Sequence, residues 1–565
     1  MALLRPHLCA LLLLIAAGAP WPLAAQDGAC VEGMVARVEV RNNSLFAPED
    51  VEGLRFDWAL SFVNWVHIRT RAGFIRSELL LKEGDCYDAA MLAESERLIR
   101  DLDFIARIET RAEQAADSTW VIYVETWDEW TTQLGTDFDV ESDFQFKGFY
   151  VTEKNLIGRG LRLSFRYRDF RERNDRFLTL SSGRFLGTRA NAAIGAGTTR
   201  TGNFARTELS YPFVSEAGRF YLDSRLQSED KEYSYLTGDD HGISHVLFPM
   251  DETNGWFRIA RRWGRPGALT LLGSELVLLR RKVPGASLMV IDHDFDATVR
   301  APDSLAARLY TQDTPDSYVR FGITAGVRRL RFTTARGLDR VTGVQNVALG
   351  SELLLTVGRT IANWSADPAD TYGRLDGFVG TAHGDLTASA AIKAEGRLVD
   401  SSPAGVSPWR DLDVTGSAQA YVQPGGSAAH TFVTGLRFSV HGNVDQPYQM
   451  AMGGEVGVRS YREDEIPVGS DFVAYAEHRF NTTWFKPTVD FGVTVFGDVG
   501  RGWASNVPFG IDTGWRKAVG VGLRLGFPAG TGSITRIELA WPVGSVDSGR
   551  GPILRTYWSP TPTSR

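Results

Sequence analysis

The sequence predicts a signal peptide, then a small α+β domain, then a transmembrane antiparallel β-barrel of about 16 strands. Three observations lead there. Helical spacing of apolar residues between about 34 and 126 gives way, beyond Trp130, to apolar and polar residues in strict alternation. The alternating region, residues 131–558, is 428 residues long and has no linker-like break. No window after the N-terminus holds 18 consecutive apolar residues, so nothing in it reads as a membrane-spanning helix.

Composition narrows the class. The chain has 565 residues, 43% hydrophobic and 23% charged, with 58 Gly, 23 Pro and 3 Cys. These values exclude a disulfide miniprotein, a collagen and a disordered tail. The 61 Lys and Arg against 68 Asp and Glu leave a formal charge of -7, without the basic excess that draws proteins onto phosphate backbones. Nucleic acid is not an expected partner.

At the N-terminus Arg5 precedes an apolar run from Leu8 to Ala19, and Leu23-Ala24-Ala25 offers small residues for cleavage, so residues 1–25 read as a secretory signal peptide. Cys30 and Cys86 are then the cysteines of the exported chain, candidates for a disulfide that would clip the N-terminal arm to the first domain. Sequence leaves their separation in space open.

Val35, Val38 and Val40 mark a short strand ending at Arg41-Asn42-Asn43, and Pro48-Glu49-Asp50 could open a helix. Asp88 is placed to cap a second helix, in which Met91, Leu92, Leu98, Ile99 and Leu102 form the apolar stripe while Glu94, Glu96, Arg97 and Arg100 take the wet face. Strands follow at 104–110 and 120–126. The order is β, α, α, β, β.

Beyond this unit every run alternates. Leu161, Leu163, Phe165 and Tyr167 oppose Arg162, Ser164, Arg166 and Arg168; Phe432, Leu436, Phe438 and Val440 oppose Arg437, Ser439 and His441. The same holds for Val489, Phe491, Val493 and Val495 against Asp490, Thr494 and Asp498, and for Val519, Val521, Leu523 and Leu525 against Arg524. A soluble sandwich alternates too, but such a domain closes in about 100 residues. Tyr150, Trp256, Trp263, Tyr475, Trp484, Trp503, Trp541 and Trp558 fall near expected strand ends, where the aromatic girdles of a membrane barrel sit. Sixteen strands would use about 27 residues each with their connections.

Longer motifs add a resemblance. Leu79-Leu80-Leu81-Lys82-Glu83-Gly84-Asp85, the helix with Ser95-Glu96-Arg97, and Asp103-Phe104-Ile105 resemble a POTRA domain, over residues 31–128. Asn155-Leu156-Ile157-Gly158-Arg159-Gly160 looks like an early-barrel segment of the outer-membrane assembly and translocation superfamily of BamA, TamA and the two-partner secretion transporters. Val458-Arg459-Ser460-Tyr461, downstream of Gly453-Gly454, is similar to that superfamily's Val-Arg-Gly-Phe/Tyr tip of the sixth extracellular loop. The resemblance implies an outer-membrane barrel over 131–558, with a periplasmic N-terminal domain, a short tail 559–565, and a role in protein insertion or transport. Its implied partners are outer-membrane lipid, unfolded outer-membrane or secreted polypeptides, and periplasmic proteins.

The resemblance also implies a luminal site. A loop folded into the lumen buries Arg459, whose planar donor fork needs carboxylates. Glu477, in Ala476-Glu477-His478-Arg479, matches the family's Glu-x-Arg strand, and Asp498, in Phe496-Gly497-Asp498-Val499-Gly500, matches its Phe-x-Asp-x-Gly strand; both are expected to pair with Arg459. Ser460 replaces the motif glycine, and if that position needs φ > 0 the tip must turn differently. The sequence has one POTRA-like unit, and residues follow Trp558 where family barrels commonly end in an aromatic.

Other motifs carry less. Asp292-His293-Asp294-Phe295-Asp296 lacks the Gly and terminal Glu of a calcium loop and reads as a solvated acidic loop. His241 and His245, beside Asp239 and Asp240, have a spacing that would bind metal only on a helix. No nucleophile, base and orienter assemble, so neither catalysis nor a cofactor is expected. Two alternatives to an insertion factor remain, a dedicated two-partner-type secretion pore and a passive structural barrel. In all three the barrel would close between strands near 131–140 and 553–558, where Gly135 and Pro552 would weaken the seam.

Overall fold

The computed structural model describes residues 30, 32–46, 57–139, 145–168, 174–199, 201–238, 245–283, 288–290, 298–304, 309, 317–365, 368–445, 447–454, 457–462, 465–486, 488–544 and 550–560. The signal peptide 1–25, the Pro48-Glu49-Asp50 helix start, the acidic run 292–296, His241 with Asp239 and Asp240, and residues 561–565 of the tail lie outside them.

The N-terminal unit runs β1 (Val35–Asn43), α1 (Asp57–Val66), α2 (Ala72–Glu78), α3 (Ala89–Arg100), β2 (Ile105–Gln114) and β3 (Trp120–Asp128). The central strand β3 pairs with β1 in parallel and with β2 antiparallel. Asp88 caps α3 by accepting hydrogen bonds from the amides of Ala90 (2.8 Å) and Met91 (3.2 Å). Ile75, Leu92 and Ile99 pack on Val38, Ile108 and Ile122 of the sheet to form the core. Cys30 and Cys86 are disulfide-bonded, with Cα atoms 5.2 Å apart.

Strand β1 ends at Asn43, within the expected Arg41-Asn42-Asn43; Asn43 still pairs with Trp127, and the Asn side chains bond the Thr70 carbonyl (2.7 Å) and Glu125 (2.9 Å). Two features depart from the sequence reading. Helix α2 is an extra helix of seven residues that carries Ile75 into the core. The charged face of α3 is not wet: it docks on the barrel, where the Arg97 guanidinium lies 4.2 Å from the Phe332 ring and Arg100 donates to Asn346 (2.9 Å).

The barrel wall is built from β4 (Thr132–Asp139), β5 (Gln145–Leu156), β6 (Leu161–Arg168), β7 (Asp175–Ser182), β8 (Asn191–Thr198), β9 (Asn203–Tyr211), β10 (Phe220–Leu236), β11 (His245–Arg265) and β12 (Ala268–Lys282). A short hairpin, β13 (Leu288–Val290) and β14 (Thr298–Arg300), extends β11. The wall continues through β15 (Ser317–Arg336), β16 (Val344–Thr360), β17 (Asp370–His383), β18 (Leu386–Val399), β19 (Trp409–Val422) and β20 (His430–Gly442). After a separate two-stranded ribbon, β21 (Met450–Ala451) and β22 (Pro467–Val468), it finishes with β23 (Ser470–Thr482), β24 (Asp490–Trp503), β25 (Gly514–Gly526), β26 (Ser533–Pro542) and β27 (Ile553–Pro560). Neighbours are antiparallel, β12 pairs directly with β15, and β27 lies beside β4, which closes the sheet.

Among the described residues the wall therefore has twenty strands rather than about 16. The difference lies in the connections and the early strands: residues 132–219 hold six strands, about 15 residues each, and β11 meets β12 across two residues. Strands β4, β6, β7, β8 and β27 have 8 residues each, β9 has 9 and β26 has 10, whereas β10, β11 and β15 reach 17, 21 and 20.

Along β25, Val519, Val521 and Leu523 are exposed on the outside while Ala518 and Arg524 are buried within; on β24, Val495 faces out while Thr494 and Asp498 face in. Two of the expected girdle residues are luminal instead. Trp256 sits mid-strand in β11 and donates to Asp223 (2.5 Å), and Tyr475, mid-strand in β23, accepts from Gln419 (3.1 Å). Polar partners hold both rings inside. At the seam, Pro552 precedes β27 and interrupts no pairing. Opposite Gly135 in the β4–β5 register is Tyr150, whose ring lies where a Cβ would fall (2.0 Å), so the glycine gap is filled.

The N-terminal domain caps one end of the barrel, called here the near end. Arg184 and Arg189 of the β7–β8 turn bond Glu78 and the Leu79 carbonyl of α2's end. The Gly158 carbonyl of the β5–β6 turn accepts from Arg71 (2.9 Å), and a Cβ there would sit 2.2 Å from the Arg69 carbonyl oxygen at a φ of +69°, which glycine alone adopts freely. Glu129, just after β3, accepts from the Gly532 amide (3.0 Å) in the β25–β26 turn. His67, at the end of α1, contacts Ser44 (3.2 Å) and lies 3.9 Å from Asp128. Burial lowers the His67 pKa to about 4 and raises that of Asp128 to about 6.

Two predictions follow from this architecture. Val521→Arg places a charge on the outer wall near mid-strand and should lower stability in lipid vesicles by roughly 2–4 kcal/mol, read by equilibrium denaturant unfolding. For His67, the unfolded ring binds its proton near pH 6.5 and the folded one near 4, so stability falls as pH drops through that window. Asp128 acts oppositely between about 6 and 3.8, so loosening begins above pH 6 and is offset below it. Histidine Cε1 hydrogen exchange followed by mass spectrometry should give His67 a midpoint near 4.

Candidate functional site

The loop between β20 and β23 folds into the barrel from the far end. Its tip packs before it bonds: Val458 and Tyr461 are fully buried with Met452, Ile466, Val468 and Ala518. Gly454 donates to the Tyr461 carbonyl (3.0 Å) and Tyr461 to the Val458 carbonyl (3.1 Å), which closes a tight turn. Two wall glycines make room for the tip. A Cβ at Gly500 would meet Val458 at 2.7 Å, and one at Gly520 would meet the Phe496 ring at 2.2 Å.

That ring is the floor of the site. The Arg459 guanidinium lies 3.5 Å from the Phe496 centroid, stacked as a cation over an aromatic face. Its edges meet carboxylates. Asp498 on β24 receives Nε (2.9 Å to Oδ2) and Nη2 (2.6 Å to Oδ1), and also the Arg459 amide (3.1 Å). Glu477 on β23 receives Nη1 (2.7 Å), and Glu538 on β26 lies 3.5 Å from the same nitrogen. Arg555 on β27 donates to the Tyr461 carbonyl. The tip thereby touches each of the last five strands, β25 through Ala518. Ser460, buried, does not take a positive φ, so its side chain costs the turn no left-handed strain.

Sequence reasoning named Glu477 and Asp498 but missed what continues from them. Glu477 also accepts from Arg479 (2.8 Å), two residues along the same luminal face. Arg479 donates to the Leu338 carbonyl (2.6 Å) and reaches Asp339 (3.4 Å), both in the near-end turn between β15 and β16. That turn, residues 337–343, is itself folded into the lumen. Asp339 accepts from Tyr421 (2.7 Å), its carbonyl accepts from Arg524, and Leu338 and Val341 are buried. One rung of Glu477 and Arg479 thus holds a far-end loop and a near-end turn together. Alternation alone could have marked Glu538, since Ile537 and Leu539 flank it as wall residues. Nothing in the turn's sequence announces its insertion.

No protein-family model matches the sequence, and no curated protein does. Among solved structures the chain is similar to CdiB from Escherichia coli, at 11% identity over 96% of this chain and 92% of that one, with a TM-score of 0.43. BamA from Haemophilus ducreyi lacking POTRA domains 1–3 gives 11% identity, 93% and 84% coverage and a TM-score of 0.36. BauA, the ferric preacinetobactin receptor from Acinetobacter baumannii, gives 11%, 81% and 85%, and 0.32. At these values the likeness carries no argument about function.

Electrostatics of the site are decided by desolvation. A buried guanidinium surrounded by three carboxylates is stable only while each side keeps its partners. Arg459→Ala should cost about 3–5 kcal/mol and expose the loop between β20 and β23 to protease, because Asp498 would lose its forked guanidinium partner while Glu477 was left with Arg479 and Glu538 with Arg536. Arg459→Lys keeps the charge but loses the forked bond to Asp498, and should fall between the two. Limited proteolysis and thermal unfolding of both variants check this. Unchanged loop protection in Arg459→Ala would remove the assignment.

Proposed function

We propose that this protein is an outer-membrane barrel that helps polypeptides insert into, or cross, the outer membrane. Its N-terminal domain lies in the periplasm, acts as a POTRA-like unit and receives the client as an added strand. Strand addition suits clients of many sequences, since main-chain bonds supply the affinity. The observation that carries this reading is the state of the two sheet edges. The β1 edge is occupied: Glu83 accepts from the Val38 amide (3.0 Å) and Arg76 donates to the Val38 carbonyl (3.1 Å). The β2 edge has no neighbouring strand among the described residues, and Ile108 and Glu109 of β2 line a cavity of about 1640 Å³ between the domain and the barrel's near end. A client strand paired to β2 would therefore be delivered beside the barrel mouth.

Release sideways through the β27–β4 seam fits better than passage through the lumen. A luminal path would require the loop bearing Arg459, the 337–343 turn and the capping domain all to withdraw. The seam needs only two short strands to part. A secretion pore and a passive barrel are the competing outcomes.

A photo-crosslinker at Glu109 should capture an unfolded barrel polypeptide, whereas one at Arg37 on β1 should not; equal capture at both positions would refute edge selection. Depletion followed by quantitative profiling then separates the roles. Broad loss of outer-membrane barrels is the expected result. Loss of a single exported protein would mean dedicated secretion, and no change a structural barrel.

A further inference from the structure

Helix α1 carries an apolar face that the rest of the described molecule leaves uncovered. Its inner side is well used: Leu60 is buried with Leu45 and Phe46, Val63 and Trp130 pack against them, and Asn64 exchanges two hydrogen bonds with the Phe46 backbone (3.0 and 3.2 Å). On the opposite side, at spacings of four and three, Trp58, Phe62 and Trp65 are 71%, 57% and 79% exposed. Three large rings facing one way form a patch that marks an interaction surface.

Position identifies the occupant. Phe46, beneath α1, meets Phe527 of the β25–β26 turn edge-on (5.6 Å), and Trp130 leads directly into β4. Thr70 and Arg71, just past the helix, bond Asn155 at the end of β5 (2.7 Å) and Gly158 of the β5–β6 turn (2.9 Å). The helix therefore runs along the near rim beneath β26, β27, β4 and β5, which puts it under the seam. The near-end wall above it is apolar outward at Leu134, the third residue of β4, which is exposed, so the aromatic face continues the barrel's outer surface. Exposed Arg69 and Arg71 follow the helix and supply cations at the same level.

We infer that α1 is an interfacial membrane helix, an inference that rests on the membrane placement proposed above. Trp58, Phe62 and Trp65 enter the headgroup boundary of the leaflet facing the N-terminal domain, and Arg69 and Arg71 bind the lipid phosphates. Aromatic rings on one face with basic residues beside them suit an anionic lipid surface. The helix seats the capping domain against the bilayer at the point where the wall closes.

The test uses the full chain carrying Cys9→Ser and Trp65→Cys, labelled with an environment-sensitive fluorophore and reconstituted in phosphatidylethanolamine–phosphatidylglycerol vesicles. Flotation reports barrel insertion, and lipids with a spin label near the top of the acyl chain report depth. The probe should be quenched at least threefold more than one at Asp117→Cys on the β2–β3 turn, and Arg69→Gln with Arg71→Gln should weaken that difference. Floated protein quenched equally at the two sites overturns the inference alone. Quenching that appears only after a urea-unfolded barrel polypeptide is added assigns the face to a client and also overturns it. Protein that does not float overturns this inference together with the membrane reading.

Discussion

A sheet in hydrocarbon has no solvent to satisfy its backbone, so every strand needs a neighbour on both sides, and the remainder of this molecule is arranged around that demand. Among the described residues closure is met by twenty antiparallel wall strands, with β27 returning to β4. A ring of that size encloses more space than side chains from its own wall can fill. The structure fills it with chain instead: a loop from the far end, a turn from the near end, and a domain across the near opening.

Holding chain inside a lumen needs bonds that do not compete with the wall's own. The inserted segments use side chains on the inward face, where a two-residue step keeps Glu477 and Arg479 in line and a neighbouring strand brings Asp498 level with Tyr475. Glycine has a related use at two places. Gly500 and Gly520 lack the Cβ that would block Val458 and Phe496, so the arginine can stack on a ring that lies flat across the neighbouring strand. Packing sets where the guanidinium lies, and the carboxylates set which direction it points.

Much of this was legible in the sequence because period-two alternation survives wherever one face meets lipid and the other water. The runs around Leu163, Phe432 and Val521 are strands for that reason. Strand number was not legible, because it depends on connection lengths, and a two-residue turn such as that between β11 and β12 leaves little mark. Nor did the immediate neighbours separate a girdle aromatic from a luminal one: Trp256 stands between Gly255 and Phe257 and Tyr475 between Ala474 and Ala476, none of which marks a polar face, and it is their partners, Asp223 and Gln419, that reveal the side they face. The charged face of α3 misled for a similar reason: Arg97 and Arg100 look solvated until Phe332 and Asn346, more than two hundred residues away, are brought against them. Asp498 and Glu477 were legible only through short motifs. Glu538, which belongs to none, was passed over.

The unequal strand lengths have a further effect. Eight residues at about 3.3 Å each, tilted by about 40°, give a height of about 20 Å, less than the roughly 25 Å apolar band of such barrels. The low stretch runs through β27, β4 and β6 to β9, interrupted by the 12-residue β5, while the opposite wall stands on strands of up to 21 residues. With the membrane placement proposed above, a bilayer wrapped around so lopsided a cylinder would be compressed on one flank only. On that placement the acyl chains beside the short strands would be more compressed than elsewhere on the circumference, at the place where the ring is joined.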